Sequence, residues 1–261
     1  MNQKHAALFE VWGVEIESMI VDAATLDVRP IADELLRDAS GGGEWVEDVE
    51  AGVIGWSNEL VAHLIELKNV APVPTLGELP AEFLASVQRA NALLSARGAR
   101  LLPTAMHPWM RPAQETRIWP HDSAPIYGAY DALFDCRRHG WANLQSVHLN
   151  LPFADEREFG RLMAAVRVAL PLIPALAASS PIVEGRATGR LDNRLDVYRD
   201  NATRVPAMAG EVIPEPVFDY EGYRRDVLAP ITQQLAPIGA DPALLDQERT
   251  NARGAIARFD R

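Results

Sequence analysis

Hydrophobic and polar positions along the chain predict a mixture of strands and helices. Alternation and branched residues indicate strands over residues 7–22, 61–70, 99–106 and 143–153, and a short returning strand over 27–31. Helical spacing and capping signals indicate helices over 32–39, 75–98, 124–138, 155–169 (extended or kinked through 170–178) and 221–236, with 243–259 partly helical. Strands separated by helices without regular βαβ spacing predict the α+β fold class rather than a doubly wound parallel sheet.

Composition and charge narrow the possible partners. The 261 residues are 48% hydrophobic and 23% charged, which is typical of a globular protein and excludes collagen-like or largely disordered chains. A net charge of −11 argues against a nucleic-acid partner, because Lys and Arg supply phosphate-backbone affinity. Nucleotide phosphates can still reach acidic sites through divalent cations.

Cysteine usage and the apolar runs predict a cytoplasmic protein with no membrane partner. Cys136 is the single cysteine, so an intramolecular disulfide and a Cys-based structural zinc site are excluded, and a structural role for it is expected. The first residues do not have the pattern of a signal peptide, and Arg167, Pro171 and Pro174 interrupt the longest apolar stretch.

Two carboxylates lie two residues apart on the first predicted strand. Glu15 and Glu17 therefore emerge from one face of the strand GVEIESMIVD (13–22). Carboxylates on a half-buried strand require a cation or a basic partner. A solvent-exposed face is the alternative interpretation.

A second acidic pair occurs in NELVAHLIELK (58–68). Glu66 stands between Ile65 and Leu67, so it is expected to be largely buried if the strand is central. Glu59 is seven residues earlier and converges with Glu66 only if it lies in the turn before the strand. His63 is expected to be a packed histidine rather than a ligand.

The strand NLQSVHLNLPF (143–153) places His148 and Asn150 on one face and Val147 and Leu149 on the other. A His/Asn face on a core-like strand suits a metal or phosphate site, and a structural histidine is the alternative.

Two arginine clusters follow this strand: Arg186, Arg190 and Arg194, then Arg249, Arg253 and Arg258. One interpretation is that they bind phosphates or carboxylates, and the other is that they lie in solvated loops. The Walker A, GxGxxG and GxSxG patterns are absent, which disfavours Rossmann and P-loop enzymes.

The ordered motifs GVEIE, ELVAHLIELK, AMHPW (105–109), SVHLN and SSPIVEGRATG resemble the bacterial glutamate–cysteine ligase type 2 family. This family comprises the YbdK-like carboxylate–amine ligases of the glutamine synthetase-like superfamily. The resemblance runs from about residue 9 to the end. It implies a curved, mainly antiparallel sheet like that of glutamine synthetase and guanidino kinase catalytic domains, with helices on its outer face, ATP and two or three Mg²⁺ ions on its concave face, and one catalytic domain over residues 1–261.

The same resemblance implies roles for individual residues. The implied metal ligands are Glu15, Glu17, Glu59, Glu66 and His148. Asn150 occupies a position that faces the nucleotide, Arg186 is the expected catalytic contact to carboxylate or phosphate, and Arg253 and Arg258 are further expected ATP contacts. The implied reaction joins the carboxylate of an amino acid to an amine through an acyl phosphate. The implied partners are these small molecules, with a homodimer as a further expectation.

The chain departs from the family pattern in two places. Gln145 and Ser146 stand where the family carries small Cys or Gly residues, and a strand with a Glu-x-Arg pattern is expected after the final GAIARFDR. Two other functions therefore remain open. One is a non-catalytic nucleotide- or amino-acid-binding protein, and the other is a phosphotransferase resembling guanidino kinases.

Overall fold

The chain is built around one antiparallel sheet. The structure, a computed structural model, describes residues 5–210 and 214–238. The six strands of the sheet are β1 (Gly13–Asp22), β2 (Asp48–Ala51), β3 (Ile54–Asn58), β4 (Leu64–Asn69), β5 (Ala99–Leu102) and β6 (Val147–Asn150). Their order is β2-β3-β4-β1-β5, and β6 pairs with the first half of β1. The α+β prediction with an antiparallel sheet is confirmed.

Helices occur throughout the described residues, and two of them pack against one face of the sheet. They are α1 (Ala32–Ala39), α2 (Leu79–Ser95), α3 (Pro112–Glu115), α4 (Ala124–Phe134), α5 (His139–Ala142), α6 (Glu156–Ala169), α7 (Leu172–Ala177), α8 (Arg194–Arg199), α9 (Pro206–Ala209), α10 (Tyr220–Tyr223) and α11 (Ala229–Leu235). A π-helical turn (Arg224–Leu228) joins α10 to α11, and a small hairpin is formed by β7 (Ile182–Val183) and β8 (Arg186–Ala187). Within the described ranges, none of the helices is long and apolar enough to cross a membrane.

One face of the sheet forms the main core. Residues directly opposite in an antiparallel pair point to the same face. Val14, Ile16 and Ile20 of β1 therefore share a face with the apolar residues of the neighbouring strands. This face packs against α1 and α2 in a cluster that includes Trp56, Ile65, Leu67, Leu35, Leu36, Phe83 and Leu94. Burial of side chains of this size is the main source of the fold's stability.

The opposite face is divided along β1. Met19 and Val21 pack with Val61, Leu64 and Met110 in a second cluster. The first half of β1 instead presents Glu15 and Glu17 on this face. The sheet therefore has one continuous apolar face and one face that is apolar at one end and acidic at the other.

Several predicted element boundaries are wrong. The first strand begins at Gly13, because residues 8–10 form a turn with Phe9 at φ 67°. The predicted strand 27–31 is reduced to a single bridge between Val21 and Val28. The helix predicted over 124–138 ends at Phe134, where Asp135 takes the left-handed conformation. The hairpin of β2 and β3 is absent from the prediction.

The prediction of a core-like strand around His148 is also wrong. β6 lies at the sheet edge and pairs only with β1 among the described strands. Val147 and Leu149 are 71% and 52% exposed, because α1 and α2 pack against the other strands. The capping of α6 is confirmed, since the Asp155 side chain accepts from the Glu158 amide. Cys136 was predicted to be a structural residue of a helix; it is buried but lies after the end of α4. The segment 243–259 lies outside the described residues.

Candidate functional site

The acidic end of the sheet collects carboxylates from three segments. Glu17 of β1 lies directly opposite Glu66 of β4. Glu59 lies in the connection between β3 and β4, the one position from which it can converge with Glu66. One oxygen each of Glu17, Glu59 and Glu66 lies within 4.8 Å of the other two.

A second group shares Glu66 with the first. Glu15, Glu66 and His148 also offer ligand atoms that lie within 4.8 Å of one another. His148 faces Glu15 across the β1–β6 pair, and its Nδ1 lies 2.9 Å from Glu15 Oε2. Asn150 Nδ2 donates to Glu15 Oε1 at 2.8 Å. The structure therefore brings together all five residues expected to be metal ligands, with Asn150 beside them.

Gly13 permits the close approach of Asn150. A Cβ atom at Gly13 would lie 3.0 Å from the Asn150 Cβ atom, which is tighter than nearly all such contacts. The glycine in GVEIE thus allows β6 to place Asn150 against Glu15.

Ser146, in the segment before β6, holds Glu17 through two hydrogen bonds. Ser146 N donates to Glu17 Oε2 at 2.8 Å, and Glu17 N donates to Ser146 O at 3.0 Å. The neighbouring Gln145 is buried and accepts from Met19 N at 2.8 Å. Gln145 and Ser146 therefore hold the segment before β6 against β1.

Burial and mutual repulsion raise the proton affinity of this cluster. Burial raises the pKa of Glu59 to about 8, and the charges of Glu17 and Glu66 add to the shift. Burial also raises the pKa of Glu17, although the Ser146 amide and His148 oppose it. Carboxylates held this close would gain from a bound cation.

Lys68 supplies the positive charge nearest the cluster. Its Nζ atom lies 3.1 Å from Glu66 Oε1 and donates to Ser57 Oγ at 2.8 Å. Burial opposes the charge on Lys68, but hydrogen bonding to and attraction by Glu66 outweigh it and raise the Lys68 pKa. One ammonium balances only part of the charge of the four carboxylates in the two groups.

The donor set suits a hard divalent cation. Mg²⁺ prefers carboxylate oxygens and water, and it is commonly held by a few carboxylates together with substrate phosphates. Glu66 belongs to both groups of potential ligands. The same arrangement would also favour any other small cation, including an ammonium group.

The arginines lie on other elements. Arg186 is exposed on the β7–β8 hairpin, and its side chain forms no hydrogen bond or ion pair within the described ranges. Arg190 and Arg194 pair with Asp196 and Asp192 respectively. Arg253 and Arg258 lie outside the described residues.

Four residues of the site were not predicted from the sequence. Lys68, Ser57, Ser146 and Tyr127 all contact or adjoin the acidic cluster. Lys68 follows Glu66 by two residues on a strand, so the alternation that was applied to Glu15 and Glu17 would have placed it on this face. Ser57 lies on the β2–β3 hairpin, which was not predicted, and Tyr127 lies on the predicted helix α4, whose packing near the cluster no local pattern indicates.

His63 has the packed role that was predicted. It is fully buried, and its Nε2 lies 2.7 Å from the carbonyl oxygen of Ala142. Burial lowers the pKa of His63 to about 4, so the ring is neutral at neutral pH.

Comparison with known proteins identifies related sequences. The profile of glutamate-cysteine ligase family 2 matches residues 11–236. An uncharacterized protein of Archaeoglobus fulgidus is 38% identical over 232 residues, which cover 89% of this chain and 61% of that protein. A Rubrobacter xylanophilus protein named "Putative glutamate--cysteine ligase 2-3" is 30% identical over 190 residues, which cover 71% of this chain and 47% of that protein. A Clavibacter michiganensis protein named "Putative glutamate--cysteine ligase 2" is 26% identical over 195 residues, 73% of this chain and 46% of that protein. The chain thus spans about half the length of the relatives that carry a ligase name.

Proposed function

The chain belongs to glutamate–cysteine ligase family 2, and from that membership we propose that it is an ATP- and Mg²⁺-dependent carboxylate–amine ligase. Its substrates would be an amino acid, with glutamate as the first candidate, and an amine. We also propose that its sheet has the curved form of glutamine synthetase and guanidino kinase catalytic domains. An antiparallel sheet with helices against one face and carboxylates on the other supports this fold.

One observation carries the proposal: Glu66 is shared by two groups of potential metal ligands. A shared carboxylate allows two cations to lie close together against the phosphates of one nucleotide. Clustered cations neutralise the charge that develops on a transferred phosphoryl group. Ser146 contacts Glu17 and His148 contacts Glu15, so two of the carboxylates are held in fixed positions. Acidic residues on a solvent-exposed sheet with no ligand would not require such contacts.

The proposed reaction has two steps. The terminal phosphoryl group of ATP moves to a substrate carboxylate oxygen, which gives an acyl phosphate and ADP. The amine nitrogen then attacks the acyl carbon, the bond from that carbon to the phosphate oxygen breaks, and the nitrogen loses a proton. The products are an amide and inorganic phosphate, and no protein nucleophile is required.

The described residues have separate parts in this scheme. Glu15, Glu17, Glu59, Glu66 and His148 would hold the Mg²⁺ ions, and Mg²⁺ would supply charge neutralisation at the phosphates. Asn150, which donates to Glu15, would face the nucleotide. Arg186 would contact a carboxylate or phosphate, and we propose Arg253 and Arg258 as further contacts to ATP. Burial of Cys136, with a pKa raised to about 12, argues against a reactive thiolate.

The test is product analysis with Mg²⁺, ATP, glutamate and a panel of amines. ADP release that requires both glutamate and an amine, with an amide detected by mass spectrometry, supports the ligase. A stable phosphorylated product would instead identify a phosphotransferase. Binding of Mg-ATP without amine-dependent ADP release would identify a non-catalytic binding protein.

Variants of β1 connect this activity to the site. Glu15→Gln and Glu17→Gln should each abolish ATP turnover and leave the circular dichroism spectrum unchanged, because each removes a charge but keeps the side-chain shape. Glu50→Gln is the matched control, since Glu50 is an exposed carboxylate of the same sheet outside both groups. Wild-type turnover in the two β1 variants would reject the ligand assignment.

A further inference from the structure

Lys68 brings an ammonium group to the acidic end of the sheet. It lies directly opposite Glu15 in the pairing of β1 with β4, and it follows Glu66 by two residues, so the three side chains share one face. Among the described residues, Lys68 is the one lysine or arginine that forms an ion pair with a member of either ligand group. Lys68 therefore borders the group formed by Glu15, Glu66 and His148.

Ser57 fixes the position of this ammonium group. It is buried and lies opposite Glu66 in the pairing of β3 with β4. The Ser57 hydroxyl accepts from Lys68 Nζ at 2.8 Å and donates to Glu66 Oε1 at 3.0 Å. Lys68 Nζ itself lies 3.1 Å from Glu66 Oε1. A lysine side chain that is held in this way loses little conformational freedom when a ligand binds to it.

One hydrogen-bond donor of Lys68 is available to a ligand. A lysine ammonium has three N–H donors, and Ser57 and Glu66 are near enough to engage two of them. The next acidic neighbour, Asp48, has its Oδ1 atom 3.6 Å from Nζ, which is beyond hydrogen-bond distance. The Lys68 side chain is 38% exposed, so a ligand on this face of the sheet can reach the third donor.

The charge of Lys68 is unfavourable for a metal site that binds cations alone. An ammonium group beside Glu66 repels a divalent cation that the same carboxylate would hold. A bound anion that contacts both the ammonium and the metal ion would offset this repulsion. Lysine is a common phosphate ligand, because its ammonium is a compact charge with rotatable donors. The position of Lys68 therefore favours an anionic ligand next to the cations.

We propose that Lys68 contacts a phosphate group of the bound nucleotide, beside the cation held by Glu15, Glu66 and His148. The inference rests on the proposed function and adds a phosphate contact within the described sheet. In this role the ammonium keeps its contact with Ser57 and donates its third N–H to a phosphate oxygen. The alternative is a structural ion pair in which Lys68 only orients Glu66, and the two roles predict different responses to removal of the ammonium.

Nucleotide binding by variants of Lys68 measures the contact. The probe is the β,γ-imido analogue of ATP, titrated into the whole chain by isothermal calorimetry at saturating Mg²⁺. Lys68→Met removes the ammonium and should raise the Kd by about tenfold. Lys68→Arg keeps a positive charge, and its Kd should stay within about threefold of that of wild type. An unchanged or lower Kd in Lys68→Met, or an equal loss in Lys68→Arg, would overturn the inference.

Binding of Mn²⁺ without nucleotide distinguishes this role from a structural one. Removal of the ammonium removes a repulsion, so Lys68→Met should lower the Kd for Mn²⁺ by about threefold, measured by electron paramagnetic resonance. The same variant therefore binds the metal more tightly and the nucleotide more weakly. If Lys68 only orients Glu66, Lys68→Met should instead bind Mn²⁺ more weakly than wild type does, and that result would reject the inference.

Arg100→Met is the matched control for the change in net charge. Arg100 is exposed on β5 and lies opposite Val21, at the other end of β1 from Glu15. Its substitution removes one positive charge from the same sheet and should leave both Kd values unchanged. Equal shifts in Arg100→Met and Lys68→Met would show that the net charge of the chain controls binding, and they would overturn a contact at Lys68.

Turnover separates this inference from the proposed function. If Lys68→Met weakens nucleotide binding as expected but wild type shows no amine-dependent ADP release, the phosphate contact stands and the ligase function fails. If wild type forms an amide and Lys68→Met binds the imido analogue as tightly as wild type does, the ligase function stands and the contact proposed here is rejected.

Discussion

At the residue scale, two buried ionisable groups differ in their partners. His63 and Glu59 lie four residues apart, and burial shifts the pKa of both toward the neutral form. His63 Nε2 has the carbonyl of Ala142 as its partner, whereas its buried Nδ1 has no hydrogen-bond partner among the described residues. His63 therefore stabilises the fold only when it is neutral, and Glu59 lies beside the carboxylates of Glu17 and Glu66.

His63 makes the folded state sensitive to acid. Its pKa is about 4 in the folded protein against an ordinary value of 6.5, so its stabilising contribution is complete above about pH 6.5 and is lost as the pH falls toward 4. We expect a loss of about 2–3 kcal/mol from this group over that interval. Urea unfolding of wild type and His63→Gln at several pH values measures it. The same slope in both proteins would show that His63 does not cause the loss.

Glu59 is expected to cost stability in the absence of a cation. The raised pKa means that its contribution is least unfavourable below about pH 4.5 and becomes more unfavourable as the pH rises to about 8. Glu59→Gln should therefore raise the free energy of unfolding at pH 8.5 by about 1 kcal/mol in the presence of EDTA, and it should weaken Mg²⁺ binding. Glu50→Gln should leave both quantities unchanged. A less stable Glu59→Gln protein would contradict the repulsion inferred at the cluster.

Most of the acidic residues of the site could be predicted from the sequence. Strand alternation placed Glu15 with Glu17, and the odd separation of Glu59 from Glu66 correctly required a turn between them. The same argument could have placed Lys68 on this face. It could not have predicted Ser146 and Tyr127, because their contacts with the cluster arise from pairing and packing between segments far apart in the chain.

At the element scale, α5 packs closely against α8 and the turn that follows it. A Cβ atom at Gly140 would lie 1.5 Å from Asn201 Oδ1 and 2.6 Å from the carbonyl oxygen of Val197. The two short helices approach this closely only because residue 140 has no side chain. The position of Trp141, which donates to the carbonyl oxygen of Asn201 at 3.1 Å, depends on this approach.

Gly140→Ala should therefore destabilise the protein by about 2–4 kcal/mol. Gly128→Ala is the matched control, because Gly128 lies within α4 with no atom within 4 Å of the added Cβ. That substitution should stabilise the protein by about 0.5–1 kcal/mol. Thermal unfolding of both variants measures the difference, and equal effects would refute the close packing of α5 against α8.

Element boundaries were predicted less well than element types. The helix expected over 124–138 ends at Phe134 because Asp135 adopts φ 55°. The sequence has no glycine at this position to indicate the helix end. The strands β2 and β3 are short and were missed, although their pairing with β4 places Ser57 beside Glu66. Burial of β3 against α1 and α2 is a tertiary effect that local periodicity does not record.

At the scale of the whole molecule, we expect the concentrated negative charge to couple folding to cation binding. The chain carries a net charge of −11, and the two ligand groups gather four carboxylates on one sheet face. A ligand that binds the folded state but not the unfolded state raises the free energy of unfolding in proportion to the logarithm of the ligand concentration once the site is saturated. Mg²⁺ should accordingly stabilise this protein beyond any general effect of ionic strength.

We expect saturating Mg²⁺ to raise the midpoint of thermal unfolding by about 5 °C in wild type and in Glu50→Gln. Glu66→Gln should show little of this increase, because it removes the carboxylate that both groups share. NaCl at equal ionic strength provides the solvent control. An increase of the same size in Glu66→Gln would show that Mg²⁺ acts elsewhere on the molecule.

The number of Mn²⁺ ions bound per chain, counted by electron paramagnetic resonance, tests the central claim most directly. The account predicts two ions in wild type, one in Glu15→Gln, one in Glu59→Gln, and neither held tightly in Glu66→Gln. Two tightly bound ions in Glu66→Gln would contradict a site organised around one shared carboxylate.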